Sequence, residues 1–145
     1  MRKYLLYAFL IIVISSFKFK EEFVPISQEV FIVSNEEGLR LMKKNCYSCH
    51  SVNSKSYDKI KAPPMESIKL KYKMVYNTKE EFTKAFTKWV LNPTKEKALM
   101  GEAIEKYKLM PNLSYYEDDI IIIAEYIYTN ELEKPIWFDS IYKNK

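Results

Sequence analysis

An all-α fold is predicted by three observations: a near absence of glycine, four segments with helical apolar periodicity, and no sustained strand alternation. Only Gly38 and Gly101 occur in 145 residues. Multi-hairpin β folds need positive-φ turns, which glycine usually fills. Hydrophobic residues make up 48% and aromatic residues 15% of the chain, enough for one packed domain with some tail.

The elements follow in order. Residues 1–17 read as a signal peptide or N-terminal anchor. Arg2 and Lys3 precede the apolar run Tyr4–Phe17, which is signal-peptide length and short of the ~20 residues of a membrane span. Ser15 and Ser16 offer a cleavage point; uncleaved, residues 4–17 would anchor the chain in a membrane. The expected location is periplasmic or the outer face of the inner membrane. Residues 18–33 read as a linker or N-terminal arm, with Pro25 and a short strand around Val30–Val33. A domain is expected over 34–132 and a tail over 133–145.

The first helix is expected from Ser34 or Asn35, either of which can cap it. Glu36 and Glu37 suit the positive end of the dipole, and Leu39, Met42 and Cys46 form one apolar stripe. Gly38 lies inside this helix, where it costs ~1 kcal/mol relative to alanine; a tolerated defect or a close backbone approach would account for it. The pattern breaks over 53–77, around Pro63 and Pro64. The second helix opens on a Thr78/Glu81 capping box with Phe82, Phe86, Trp89 and Val90 on one face, and Pro93 ends it. The third is expected from Thr94 to about Lys108 and carries Ala98, Ile104 and Tyr107. The last is expected to be capped by Ser114 with Glu117, and its stripe is Ile120, Ile123, Ala124 and Ile127.

Without residues 1–16 the chain has 21 basic and 19 acidic residues, a balance that does not point to nucleic acid. The distribution is uneven, with eight lysines between Lys43 and Lys73 and six acids with no base between Ser114 and Glu133.

Both cysteines and the one histidine fall within Cys46–His50, Cys-Tyr-Ser-Cys-His. A zinc site needs about four N or S ligands; three are present, and the adjacent Cys49 and His50 rarely converge on one metal. A thioredoxin-type pair needs a βαβ context. A disulfide closing so small a loop adds little stability and leaves His50 unexplained. Covalent haem attachment, C-x-x-C-H, uses every residue. Cys46 and Cys49 would supply two thioethers one turn apart, and His50 an axial iron ligand.

With these residues in view, the chain resembles the class I cytochrome c family of bacterial monohaem proteins, over roughly Ser34 to Leu132. That family has a glycine eight residues before the first cysteine and an apolar residue four before it; here these are Gly38 and Met42. The resemblance implies a cytochrome c-like fold of about four helices wrapped around one covalently attached haem c. It implies that Gly38 lets the first helix cross closely over the last, near Ile123, Tyr126 and Ile127. It implies that a proline carbonyl, Pro63 or alternatively Pro64, orients the proximal imidazole.

With no second histidine, methionine is the candidate for the sixth iron position, and a Met/His pair raises the potential. Met110, followed by Pro111 and lying sixty residues after His50, matches the family's distal ligand; Met100 and then Met65 are the alternatives. The implied function is single-electron carriage between larger redox partners, with no bond-making catalysis of its own. Lysines flanking the motif would face acidic docking surfaces. Two alternatives stand beside it: a five-coordinate haem sensor or peroxidase-like protein, and an accessory cytochrome subunit of an oxidase or dehydrogenase, with residues 18–33 and the Trp137 tail as contacts.

Overall fold

In the computed structural model residues 26–142 are described, residues 26–33 by their backbone alone. The signal-peptide or anchor expectation for residues 1–17 lies outside the described residues. Within them the chain is all-helical: α1 (Ile26–Asn45), a 3-10 turn (Tyr57–Lys59), α2 (Met65–Lys73), α3 (Lys79–Leu91), α4 (Gly101–Tyr107), α5 (Glu117–Thr129) and α6 (Phe138–Tyr142), with no strand. None of these helices is long and apolar enough to cross a membrane.

α5 is the central element. Its stripe Ile120, Ile123, Ala124 and Ile127 is at most 1% exposed, and it packs against α1, α3 and α2. The i, i+3, i+4, i+7 spacing puts these four side chains on one face, so a single helix can serve several neighbours. α3 presents Phe82, Phe86 and Val90 to it, all buried. Tyr72 of α2 meets Phe82 and Phe86 edge-on, each at 5.6 Å between ring centroids, a favourable aromatic arrangement.

The α1–α5 crossing is unusually close. A Cβ built on Gly38 would lie 2.5 Å from Tyr126 Cβ and 2.9 Å from its Cγ. Gly38 is therefore required by the approach of α5, and is no tolerated defect. Met42 and Leu41, both at most 2% exposed, fill the seam beyond it.

The capping box of α3 is formed. Glu81 N–H donates to Thr78 Oγ1 at 3.2 Å, and Thr78 N–H donates back to Glu81 Oε2 at 3.4 Å. Thr78→Ala is expected to lower stability by ~1 kcal/mol, read as a fall in the urea midpoint at unchanged slope.

Several expectations are corrected. Val30–Val33 is helical, because α1 begins at Ile26. A lone strand has nowhere to place its backbone hydrogen bonds, whereas a continued helix satisfies them internally. The third helix is confined to Gly101–Tyr107; Pro93 and a turn closed by Ala98 N–H to the Lys95 carbonyl, 3.3 Å, occupy its expected first half. Met100 accordingly sits at the N-cap and not inside a helix.

Ser114 does not cap α5. It adopts φ 53°, its N–H is taken by Asn112 Oδ1 at 3.0 Å, and Tyr116 holds the N-cap position. α2 appears where the pattern seemed broken. The Pro64 carbonyl accepts from Ser67 N–H, Ile68 N–H and Ser67 Oγ at 3.0, 3.3 and 2.7 Å, so the double proline starts this helix. The tail is structured too: Phe138 is 2% exposed, and the indole N–H of Trp137 donates to the Ser54 carbonyl at 2.8 Å.

Candidate functional site

Cys46–His50 forms one further turn on the end of α1. Cys46 N–H donates to the Met42 carbonyl at 2.8 Å, and the Cys46 carbonyl accepts from Cys49 N–H at 3.2 Å and His50 N–H at 2.9 Å. Lys43 and Lys44 in the preceding turn suit the negative end of the helix. This turn delivers Cys46, Cys49 and His50 to the wall of one cleft.

The cleft opens to solvent and has a cavity volume of about 180 Å³. Its floor is the core itself: Met65, Tyr72, Phe86, Val90, Ile120 and Ile123. The remaining wall comes from Trp89, from residues 98–100 and from the segment 103–111. Among the described residues the charged members of the lining are Lys61 and Lys108, both exposed, and no carboxylate, Glu105 included, lines it. Such a cavity suits a large apolar group that carries any negative charge at the mouth.

His50 is the polar anchor. Its Nδ1 donates to the Pro63 carbonyl at 2.6 Å. A carbonyl can only accept, so in the neutral ring the lone pair falls on Nε2. Burial lowers the pKa of His50, against the opposing pull of the Pro63 hydrogen bond, and so favours the neutral form that binds metals. Pro63 is placed by the same double proline whose second member starts α2.

Cys46 and Cys49 are free thiols, the first half-buried and the second exposed. Burial, with a smaller contribution from Cys49, pushes the Cys46 thiol up to about 12. Among the described residues no three His, Cys, Asp or Glu side chains are grouped to hold a bare metal ion.

Cys46, Cys49, His50, Pro63, Met65, Met100 and Met110 all line this one cleft, and the alternative Pro64 does not. Met110 lines it from the extended segment between α4 and α5; Met100 lines it from the α4 N-cap, and Met65 from the first turn of α2. Met65 is 2% exposed within the core, whereas Met100 and Met110 are half-buried.

The Met110 segment is tied down at three points. Tyr115 Oη donates to the Asn45 carbonyl at 3.0 Å, next to the cysteine turn. Asn112 Nδ2 donates to the Leu91 carbonyl at 3.1 Å. Lys108 turns the chain out of α4 at φ 72°, ψ 170°, a region nearly reserved for glycine that costs on the order of 1–3 kcal/mol. The strain falls two residues before Met110.

Sequence reasoning missed the lining role of Leu99, and that of Ala98, Ile104 and Tyr107, which it placed on the third helix. A large apolar group fits what is present: two thiols one turn apart, a neutral imidazole with Nε2 unused by Pro63, and methionine thioethers in the same lining. Comparison with protein-family models, with curated proteins and with solved structures finds no match to this chain.

Proposed function

We propose that the chain is an exported monohaem c-type cytochrome that carries single electrons between larger redox partners. The observation that carries this is the cysteine turn set into an apolar cleft, with His50 Nδ1 held by the Pro63 carbonyl at 2.6 Å. A haem bound there supplies reversible one-electron chemistry at iron.

The chain's own residues do the rest. Cys46 and Cys49 tether the group through thioethers, and His50 offers the Nε2 lone pair. Pro63 fixes the ring and raises its basicity. Met110 offers a thioether as sixth ligand, with Met100 the alternative. The apolar floor keeps water from the iron, and Lys61 and Lys108 suit the negative edge of the group. The close α1–α5 crossing at Gly38 and Tyr126 agrees with the cytochrome c-like fold that the resemblance implies.

Exposed lysines flank the cysteine turn along the chain: Lys43, which pairs with Glu133, then Lys44, Lys55, Lys59 and Lys61. They would steer acidic partners into encounter more than they tighten the complex. The apolar leader at 4–17 accounts for export, which haem attachment of this kind needs.

Carbon monoxide tests the ligand set. Reduced wild-type protein is expected to bind it slowly, because Met110 fills the sixth position. Met110→Ala is expected to bind it at once and to show a lower potential, since a Met/His pair raises it. If Met100→Ala behaves this way instead, the distal ligand is Met100. Immediate binding by the wild type would replace the carrier with a sensor or peroxidase, and a purified protein with no haem absorption ends the proposal.

A further inference from the structure

The hydrogen bond on His50 depends on a loop, residues 51–64, that the C-terminal tail grips at Ser54 and Tyr57. On the near side, Trp137 Nε1 donates to the Ser54 carbonyl at 2.8 Å, and its ring meets Tyr57 edge-on at 5.6 Å. On the far side, the loop runs into α2, where the Ser67 hydroxyl donates to the Pro64 carbonyl at 2.7 Å. Pro63 lies between the tail's hold at Ser54 and the start of α2.

The tail is braced to serve as a fixed point. Pro135 and Phe138 are buried. Phe138 stacks on Tyr142 at 4.6 Å, Phe138 N–H donates to the Pro135 carbonyl at 2.9 Å, and Ser140 Oγ donates to the Trp137 carbonyl at 2.7 Å. The loop's own bonds are local: Asn53 N–H to Ser51 Oγ at 3.2 Å, Ser54 Oγ to the Ser56 carbonyl at 2.8 Å, and Lys59 N–H to that same carbonyl at 3.2 Å. They shape the loop locally, and Ile60 and Pro64 are its buried anchors. Lys106, 3.3 Å from the Tyr57 ring centroid, is a second hold, but an exposed cation–π contact is weak.

We propose that Pro135–Tyr142 is a positioning strap for the His50 imidazole, holding the loop so that the Pro63 carbonyl stays on Nδ1. Trp137 is its main positioning residue. The consequence for iron rests on the proposed function; the consequence for the Nδ1 proton does not. A fixed carbonyl keeps the imidazole a strong donor, which favours oxidised iron and lowers the potential. Loosening the strap raises it.

The test measures exchange of the His50 Nδ1 proton by NMR, and the midpoint potential, in the full-length protein as purified. Trp137→Ala is expected to speed exchange at least tenfold and to raise the potential. Trp137→Phe keeps a ring on Tyr57 but loses the donor to Ser54, and is expected to move both quantities less, in the same direction. Thr78→Ala, which weakens the start of α3 and leaves this loop alone, is expected to change neither, so general loss of stability is distinguished from positioning. If Trp137→Ala does not fold, Trp137→Phe decides. Exchange no faster than in Thr78→Ala overturns the strap while leaving the carrier intact. A purified chain without haem ends the carrier, and exchange alone then decides the strap.

Discussion

A chain with Cys46 and Cys49 both replaced by serine is expected to lose its haem on a denaturing gel, where the unsubstituted chain keeps it. The effect is all or none, because a thioether survives denaturation and a coordination bond does not. Each single replacement leaves one tether, so Cys46→Ser and Cys49→Ser alone are expected to retain haem at reduced yield. His50→Ala separates tethering from ligation. It keeps both cysteines, so the haem stays attached through denaturation, but the iron loses its Nε2 donor and the spectrum changes.

This division of labour rests on the proposed haem attachment. Cys49 and His50 both return their N–H groups to the Cys46 carbonyl, so a substitution of a side chain leaves the turn itself in place. A double serine variant that still carries haem after denaturation would show that some other side chain holds the group.

Much of the fold was legible where local chemistry and tertiary packing agree. Thr78 and Glu81 satisfy each other within four residues, and the stripe on α5 is buried along its whole length. Gly38 was partly legible: a tolerated defect or a close approach would account for it, the resemblance implied the second, and Tyr126 is the approaching group. The cleft's polar wall was legible because its residues are contiguous.

Elsewhere the decisive partners lie far off in sequence. Met65, Ile68 and Tyr72 recur at helical spacing, but the lysines between them, 69 and 71, mask the stripe. Lys108 occupies a backbone region that glycine would normally fill, so nothing in its side chain signals the turn toward Met110. The tail docks through Trp137 and the Ser54 carbonyl, 83 residues apart, a pairing no local pattern encodes. Ser114 looked like a cap by type and spacing, yet it turns at φ 53° two residues before the Tyr116 N-cap, and α5 starts without it.

Gly38→Ala is expected to destabilise the protein by about 1–3 kcal/mol, a substantial part of a typical 5–15 kcal/mol. On an isolated helix the same change would stabilise by up to ~1 kcal/mol, so the sign itself is diagnostic. The new methyl would stand 2.5 Å from Tyr126 Cβ, against an optimum of about 3.5–4.0 Å for carbon pairs. Both atoms are fixed to helix backbones, so no rotamer change relieves the contact and α1 must move away from α5. That motion loosens the packing of Leu41 and Met42 against Ile123 and Ile127, and these residues back the cleft floor.

Gly101→Ala is the control, because a Cβ there meets nothing within 4 Å; it is expected to be neutral or slightly stabilising in the same urea titration. Compensation locates the clash. Tyr126→Ala removes the atoms at 2.9 and 3.1 Å but keeps Cβ at 2.5 Å, so combined with Gly38→Ala it is expected to rescue little. Tyr126→Gly removes all three, and the Gly38→Ala penalty measured in that background is expected to shrink or reverse toward the helix-propensity gain. A Gly38→Ala protein as stable as the original would mean that the two helices do not cross at this distance.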